Sequence, residues 1–206
     1  MAKVNFFQYP GACLLHADGV MKRTTSNINM RKNIVVLLCS AGAVLRLTAA
    51  DGPPLDSHLE PLRPLLGKTW KGEFKNSTPE KPIVDVSRWE RALNGKAVRV
   101  MHSINEGAYG GETIFTWDGK SQSVIYHYFT TAGFMTKGTM TFKEGKNIAV
   151  EQVTGDAGGV TEVRSTSEIL SDGSFHVKAE HLTKGEWQPG HEVTYHEAPE
   201  AKVAFK

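Results

Sequence analysis

The chain has 206 residues, enough for one ordinary domain with extensions. Six of its 24 basic residues and one of its 22 acids precede position 51, leaving 18 basic and 21 acidic residues beyond it, a net charge of −3 where the whole chain has +2. This mildly acidic remainder lacks the basic footprint of a nucleic-acid binder, and because both cysteines (Cys13 and Cys39) lie upstream it has no disulfide, thiolate metal site or thiol nucleophile.

Residues 1–29 show no clear period and read as a disordered upstream extension ahead of a start at Met30 or Met21. Residues 30–50 have the layout of a signal peptide. Arg31 and Lys32 form a basic n-region, an apolar run follows to Leu45, and Thr48 and Ala50 place small residues before a cut at Asp51. The apolar run is short for a bilayer span. Leu38 precedes Cys39 where a lipobox needs a small residue, so lipidation is not expected. The expected location is the periplasm or the exterior, with no membrane association beyond the signal peptide.

Residues 51–56, with Pro53 and Pro54, form a linker. Leu59, Leu62, Leu65 and Leu66 then recur at helical spacing, so a short helix is predicted over 57–66, capped by Ser57 and limited by Pro64. Beyond Gly67 the chain reads as ten strands, at 69–74, 83–89, 97–105, 112–117, 123–130, 136–142, 148–154, 161–170, 175–183 and 191–196. Asn94-Gly95, Asp118-Gly119 and Asp172-Gly173 supply turn chemistry between them. The glycine-rich stretch from Gly107 to Gly111 reads as a loop, a mobile rim with Tyr109 at its tip.

Alternation is clear in several strands. Val98, Val100, His102 and Ile104 share one face, and Arg99, Met101 and Ser103 the other. One covered and one wet face indicate an antiparallel sheet. The fold class is therefore all-β: an antiparallel up-and-down barrel of about ten strands, residues 57–206, with a short N-terminal helix able to plug one end. At ten strands a barrel is wider than side chains readily fill, so a cavity is expected.

The opening strand, Gly67-Lys-Thr-Trp70-Lys-Gly72, resembles that of calycin-type barrels. Lipocalins begin with Gly-x-Trp, and nitrobindin-like barrels with Gly-Thr-Trp-x-Gly; here Lys68 is interposed. With Arg88-Trp-Glu-Arg-Ala-Leu-Asn-Gly-Lys96, Gly110-Gly-Glu-Thr113 and Tyr126-His-Tyr-Phe-Thr-Thr-Ala-Gly-Phe134, the chain resembles an uncharacterised lipocalin-like family of exported bacterial domains over most of residues 59–196. That resemblance implies a fold and a location but no reaction, and it implies that Trp70 packs across the barrel floor. The nitrobindin-like similarity implies a haem-ligating histidine on a late strand, where His191 and His196 are the candidates.

Seven histidines follow position 50, and none forms His-x-His, His-x-x-x-His or His-Glu-x-x-His, so no metal site is expected. His102 and His127 sit among apolar neighbours in strand interiors. A lumen histidine binds a polar ligand group, acts as a base or ligates iron; the plainer alternative is a histidine bonded to its neighbours. Tyr126 and Tyr128 share a strand face opposite His127, and serve either a ligand or cross-strand packing. Arg164 is a candidate clamp for a carboxylate, or part of a solvated face with Glu162 and Glu168. Glu112 is a candidate partner for a histidine or arginine, or a rim residue.

These residues point to a barrel binding a small, partly apolar molecule through His102, His127, Tyr126, Tyr128, Arg164, Trp70 and Glu112. No cofactor is expected, with haem as the alternative. The alternative functions are a haem or nitric-oxide-binding barrel, and an isomerase or hydrolase using a lumen histidine. Catalysis, oligomeric state and the inward strand face stay open.

Overall fold

The computed structural model describes residues 54–206. The upstream extension, the signal peptide and the cut at Asp51 lie outside the described residues.

Ten strands close into one antiparallel barrel: β1 (Thr69–Phe74), β2 (Val84–Ala92), β3 (Ala97–Ile104), β4 (Tyr109–Asp118), β5 (Ser123–Thr130), β6 (Met135–Lys143), β7 (Lys146–Thr154), β8 (Val160–Ile169), β9 (Phe175–Thr183) and β10 (Glu186–Glu197). Each pairs with its sequence neighbours, and β10 closes on β1 through Trp70↔Glu197 to Phe74↔Val193. Every strand edge is thereby paired, which removes the exposed edges of an open sheet. Among the described residues, no helix is long and apolar enough to cross a membrane.

The helix before β1 forms over Ser57–Leu65 as a 3-10 helix, capped by Asp56 rather than by Ser57. The Asp56 carboxylate accepts the His58 N–H at 3.1 Å and also meets Lys96 Nζ at 3.1 Å. Leu59, Leu62 and Leu65 are fully buried. Their spacing of three explains the helix type: on a 3-10 helix residues i and i+3 eclipse, so all three leucines fall on one line against the barrel. Each buried leucine contributes about 1.5–3 kcal/mol. The turn between β2 and β3 grips this segment, with Asp56 N–H donating to the Gly95 carbonyl at 2.9 Å. Gly95 has φ +88°, and a Cβ there would lie 2.2 Å from the Pro54 carbonyl oxygen, so both backbone conformation and space call for glycine.

Two boundaries differ from the sequence expectation in ways that matter. β4 begins at Tyr109, so the predicted glycine loop is strand, and the Tyr109 side chain faces inward rather than tipping a mobile rim. β10 begins at Glu186 and contains a register shift between Pro189 and Glu192. The bulge interrupts the strand pattern and extends it beyond what alternation alone reveals.

Trp70, Trp89, Val98, Phe115, Val124 and Phe175 are buried near the helix-covered end and make an apolar floor. Trp70 is 1 % exposed, and its indole N–H donates to the Leu65 carbonyl at 3.3 Å, tying helix to barrel.

Candidate functional site

Strand register decides which side chains enter the lumen, because alternate residues face opposite sides. On β3, His102 faces in with Val98 and Val100; across the register, Tyr109, Thr113 and Phe115 on β4 and Tyr126 and Tyr128 on β5 face in with it. Asp85 and Ser87 on β2, Glu151 on β7, Ser165 and Ser167 on β8, His181 on β9 and Tyr195 on β10 complete a polar upper lumen above the apolar floor.

A continuous hydrogen-bonded chain crosses this lumen. Tyr195 Oη donates to Asp85 Oδ2 at 2.8 Å. Asp85 Oδ1 meets His102 Nδ1 at 2.8 Å, His102 Nε2 meets Tyr128 Oη at 2.8 Å, and Tyr128 Oη meets Tyr109 Oη at 2.8 Å. With Asp85 as the carboxylate, His102 donates from Nδ1, Tyr128 donates to Nε2 and Tyr109 donates to Tyr128, so each bond has one donor and one acceptor. Burial raises the Tyr195 and Tyr128 phenols well above the ordinary tyrosine range, which keeps their protons on; the Asp85 carboxylate adds to the effect at Tyr195, and Tyr109 at Tyr128.

Inward-facing glycines make these long reaches possible. Gly72 on β1 lies in register between Tyr195 and Asp85, and a Cβ there would sit 2.6 Å from Val193 Cγ2 and 3.0 Å from Tyr195 Cδ1. Gly111 on β4 pairs with His102, and a Cβ there would sit 2.4 Å from Tyr128 Cε2. Gly138 does the same for Tyr126, at 2.5 Å from Cζ. Each glycine removes the side chain that would block a tyrosine lying over the neighbouring strand.

Two further groups flank the chain. Glu151 accepts a short hydrogen bond from the Thr136 hydroxyl, and burial pushes its carboxyl up to about 7 against that bond. His191 stacks on Phe74 with ring centroids 5.3 Å apart. Loss of hydration lowers His191 to about 4; the Asp85 charge opposes this, while His102 and His181 add to it. Burial also lowers His181. The β10 bulge explains His191. Val193 and Tyr195 face in beyond it, so His191 shares their side of the strand, while His196 is exposed on the other.

Glu151 carries a pH prediction. Its ordinary value is 4.5 and its folded value about 7, so the folded state holds the proton more tightly. Stability from this group is therefore present below about pH 4.5 and lost as pH rises towards 7. Glu151→Gln is expected to stabilise the barrel by about 2–3 kcal/mol above pH 7.5 and to change little at pH 4.5, as read by urea unfolding at both pH values. An equal effect at both would overturn the assignment.

The sequence-derived candidates divide. His102, Tyr126, Tyr128 and Trp70 face the lumen, Trp70 in the floor beneath the cavity. His127, Arg164 and Glu112 lie on the outer wall, contrary to a ligand-binding role in the lumen, while Glu112 does pair with an arginine and Arg164 does lie on a solvated, charged face. His127 pairs in register with Ile114 and Lys137 and stacks near Phe129; its neighbours are apolar because the outer wall carries apolar residues there. The Arg164 guanidinium lies 4.1 Å from the Trp187 ring centroid and its Nε donates to Glu180 at 2.7 Å. Glu112 accepts two bonds from Arg99, at 2.9 and 2.8 Å. Asp85, Tyr195, Glu151 and His181 carry no site expectation from the sequence, and Tyr109 carries only that of a loop tip. Asp85 sits between two valines on the inward side of an alternating strand, and that acid in a core position was the available signal.

The lumen holds a partly open cavity of about 180 Å³ lined by the Asp85, His102 and Tyr195 wall, by Ser165 and Ser167 opposite, and by Trp89 and Phe175 below. Trp89 is 7 % exposed, and its indole nitrogen is buried without a hydrogen-bond partner. Drug-sized ligands occupy roughly 300–1,000 Å³, so this cavity takes something smaller, and a porphyrin does not fit. His191 lies on the lumen side of β10 but is not among the residues that line this cavity. Among the described residues, no group of three or more His, Cys, Asp or Glu is placed to hold a metal ion.

Comparison with protein-family models gives no match, and comparison with curated proteins gives none either. Among solved structures the barrel is similar to the crystal structure of Rv2717c from M. tuberculosis, with a TM-score of 0.51 and 14% identity, covering 70% of this chain and 99% of that one. The likeness is one of fold.

Proposed function

We propose that this protein binds a small, partly apolar molecule in the lumen of its barrel. The observation that carries the reading is the cavity of about 180 Å³ above the apolar floor, whose lining sets Trp89, Phe175, Val100 and Met140 beside Asp85, His102, Ser165 and Tyr195. The volume is close to the roughly 150 Å³ of a cavity that holds benzene, so the ligand is about the size of a substituted benzene. The signal-peptide pattern of residues 30–50 supports a location outside the cytoplasm; recovery from cells of a chain beginning at Asp51 is the expected result, and one retaining residues 30–50 would overturn that location.

Titration with toluene and benzyl alcohol, followed by the ¹H–¹⁵N signal of the Trp89 indole, tests the binding. Saturable shifts are expected, and Ser165→Leu, which fills the cavity, is expected to abolish them while leaving the fold intact. Lack of any shift with either probe, or shifts unaffected by filling the lumen, would refute the reading.

A further inference from the structure

We infer that Tyr128 is a redox site, at which a radical-type one-electron oxidant draws an electron from the phenol while the phenolic proton passes to His102. This activity does not depend on whether the cavity binds a ligand.

A phenol gives up an electron readily only when its proton leaves with it, because the phenol radical cation is a very strong acid. In water the proton goes to solvent. Inside a barrel it needs a base already in line, and Tyr128 has one. Its Oη lies 2.8 Å from His102 Nε2, and His102 Nδ1 lies 2.8 Å from Asp85 Oδ1. The step balances within these three residues. One electron passes from the Tyr128 ring to the oxidant, which is reduced by one electron. The Tyr128 O–H bond breaks, and its proton forms an N–H bond at His102 Nε2. The products are a neutral tyrosyl radical and a His102 imidazolium, which the adjoining Asp85 carboxylate favours. Return of one electron sends the proton back along the same contact.

The surroundings fit the same step. Asp85, His102 and Tyr128 together carry one negative charge before it and none after. From the Trp89 floor to the Tyr109 end, no lysine or arginine stands at an inward strand position to oppose that change. The Tyr109 hydroxyl, 2.8 Å from Tyr128 Oη, still donates to that oxygen once its proton has gone. Tyr195 is less suited: it donates to a carboxylate, by roughly two to three pKa units a weaker base than an imidazole. The electron also has an aromatic route. The rings of Trp70, Phe175, Trp89, Phe115 and Tyr126 follow one another with centroids 5.9, 5.8, 6.0 and 4.9 Å apart. Tyr126 stands two residues before Tyr128 on the same face of β5. An oxidant outside the barrel can therefore reach Tyr128 by electron transfer without entering the lumen.

The test oxidises the full protein with flash-generated tris(bipyridine)ruthenium(III) at pH 7.5 and follows the radical by absorption and by electron paramagnetic resonance. A neutral tyrosyl radical is expected in the unaltered protein and in Tyr126→Phe, and its loss in Tyr128→Phe. His102→Gln keeps a hydrogen-bonding side chain but no base. It is expected to slow radical formation about a hundredfold, the lower end of what a positioned base contributes, with the circular dichroism unchanged. Heavy water is expected to slow formation in the unaltered protein, because an O–H bond breaks in the step. Should the variants fail to fold, 3-fluorotyrosine placed at position 128 alone preserves the ring and its hydroxyl, and is expected to alter the hyperfine pattern of the radical. Absence of a tyrosyl radical, an equal yield in Tyr128→Phe, an equal rate in folded His102→Gln or in heavy water, or a hyperfine pattern untouched by the fluorine overturns the inference. Each of these outcomes leaves the reading of the cavity as it stands.

Discussion

Asp85→Ala is expected to destabilise the barrel by about 3–5 kcal/mol, because it removes a buried carboxylate and leaves two buried donors unpaired at about 1–3 kcal/mol each. Asp85 is 1 % exposed and is the acceptor for both the Tyr195 hydroxyl and the His102 ring. Truncation leaves two buried donors with nothing to bond, and each such orphan is costly. For a domain of this size the loss is a fall in Tm of roughly 10 °C. Asp85→Asn is the informative companion. Its amide keeps the shape and one acceptor oxygen, so a loss of about 1–2 kcal/mol is expected, the deficit of one charged hydrogen bond. Urea unfolding with unchanged m-values measures both, and a loss below about 1 kcal/mol for the alanine variant would mean that the Tyr195–Asp85–His102 chain does not hold this wall. The same variant bears on function, because the wall it disturbs is the one that lines the cavity.

How much of this was legible in the sequence depends on the range over which each feature is specified. The ten strands and their closure were readable because alternation and turn glycines are local, and they repeat in every hairpin. The inward face of β3 was readable for the same reason: Val98, Val100 and Ile104 mark it, and His102 falls in line. The errors came where the outer wall is itself apolar. Ile125, Phe129 and Ile114 make the outside of β4 and β5 look like a core, which put His127 on the wrong side. Phe129 is 51 % exposed, so apolar character does not identify the inner face there. Arg164 was ambiguous until register set it beside Glu180 and Trp187, partners 16 and 23 positions away in sequence.

The polar chain was invisible for a different reason. Its five members come from β10, β2, β3, β5 and β4, and four contacts between distant segments assemble it. Its sequence mark is instead negative space. Gly72, Gly111 and Gly138 are strand glycines on the inward face, where a packed core would ordinarily place a side chain, and each is filled by a tyrosine from a neighbouring strand. Strand glycine opposite tyrosine is thus the pattern that couples these residues to the geometry of the cavity.

At the other end of the barrel, Trp70→Ala is expected to cost about 3–5 kcal/mol, as large-to-small changes at buried aromatic positions do. Trp70 joins three things at once. Its ring lies 5.9 Å from that of Phe175, its indole N–H holds the Leu65 carbonyl, and it closes the lumen beneath Trp89. The alanine variant leaves a cavity in the floor and releases the helix that Leu59, Leu62 and Leu65 anchor. Trp70→Phe separates these effects: it keeps most of the buried area and loses the single bond to Leu65, so a loss of about 1–2 kcal/mol is expected. Hydrogen exchange of the helix amides locates the damage. In Trp70→Ala those amides are expected to exchange far faster than amides in β5 to β8, because the helix loses its one indole tether while the strand ladder keeps its pairing. Uniform acceleration throughout the barrel would instead mean that Trp70 supports the whole wall, and that helix and barrel open as one cooperative unit. That outcome also bears on the proposed binding site, because a floor that opens only with the wall keeps the cavity closed from below for as long as the barrel is folded.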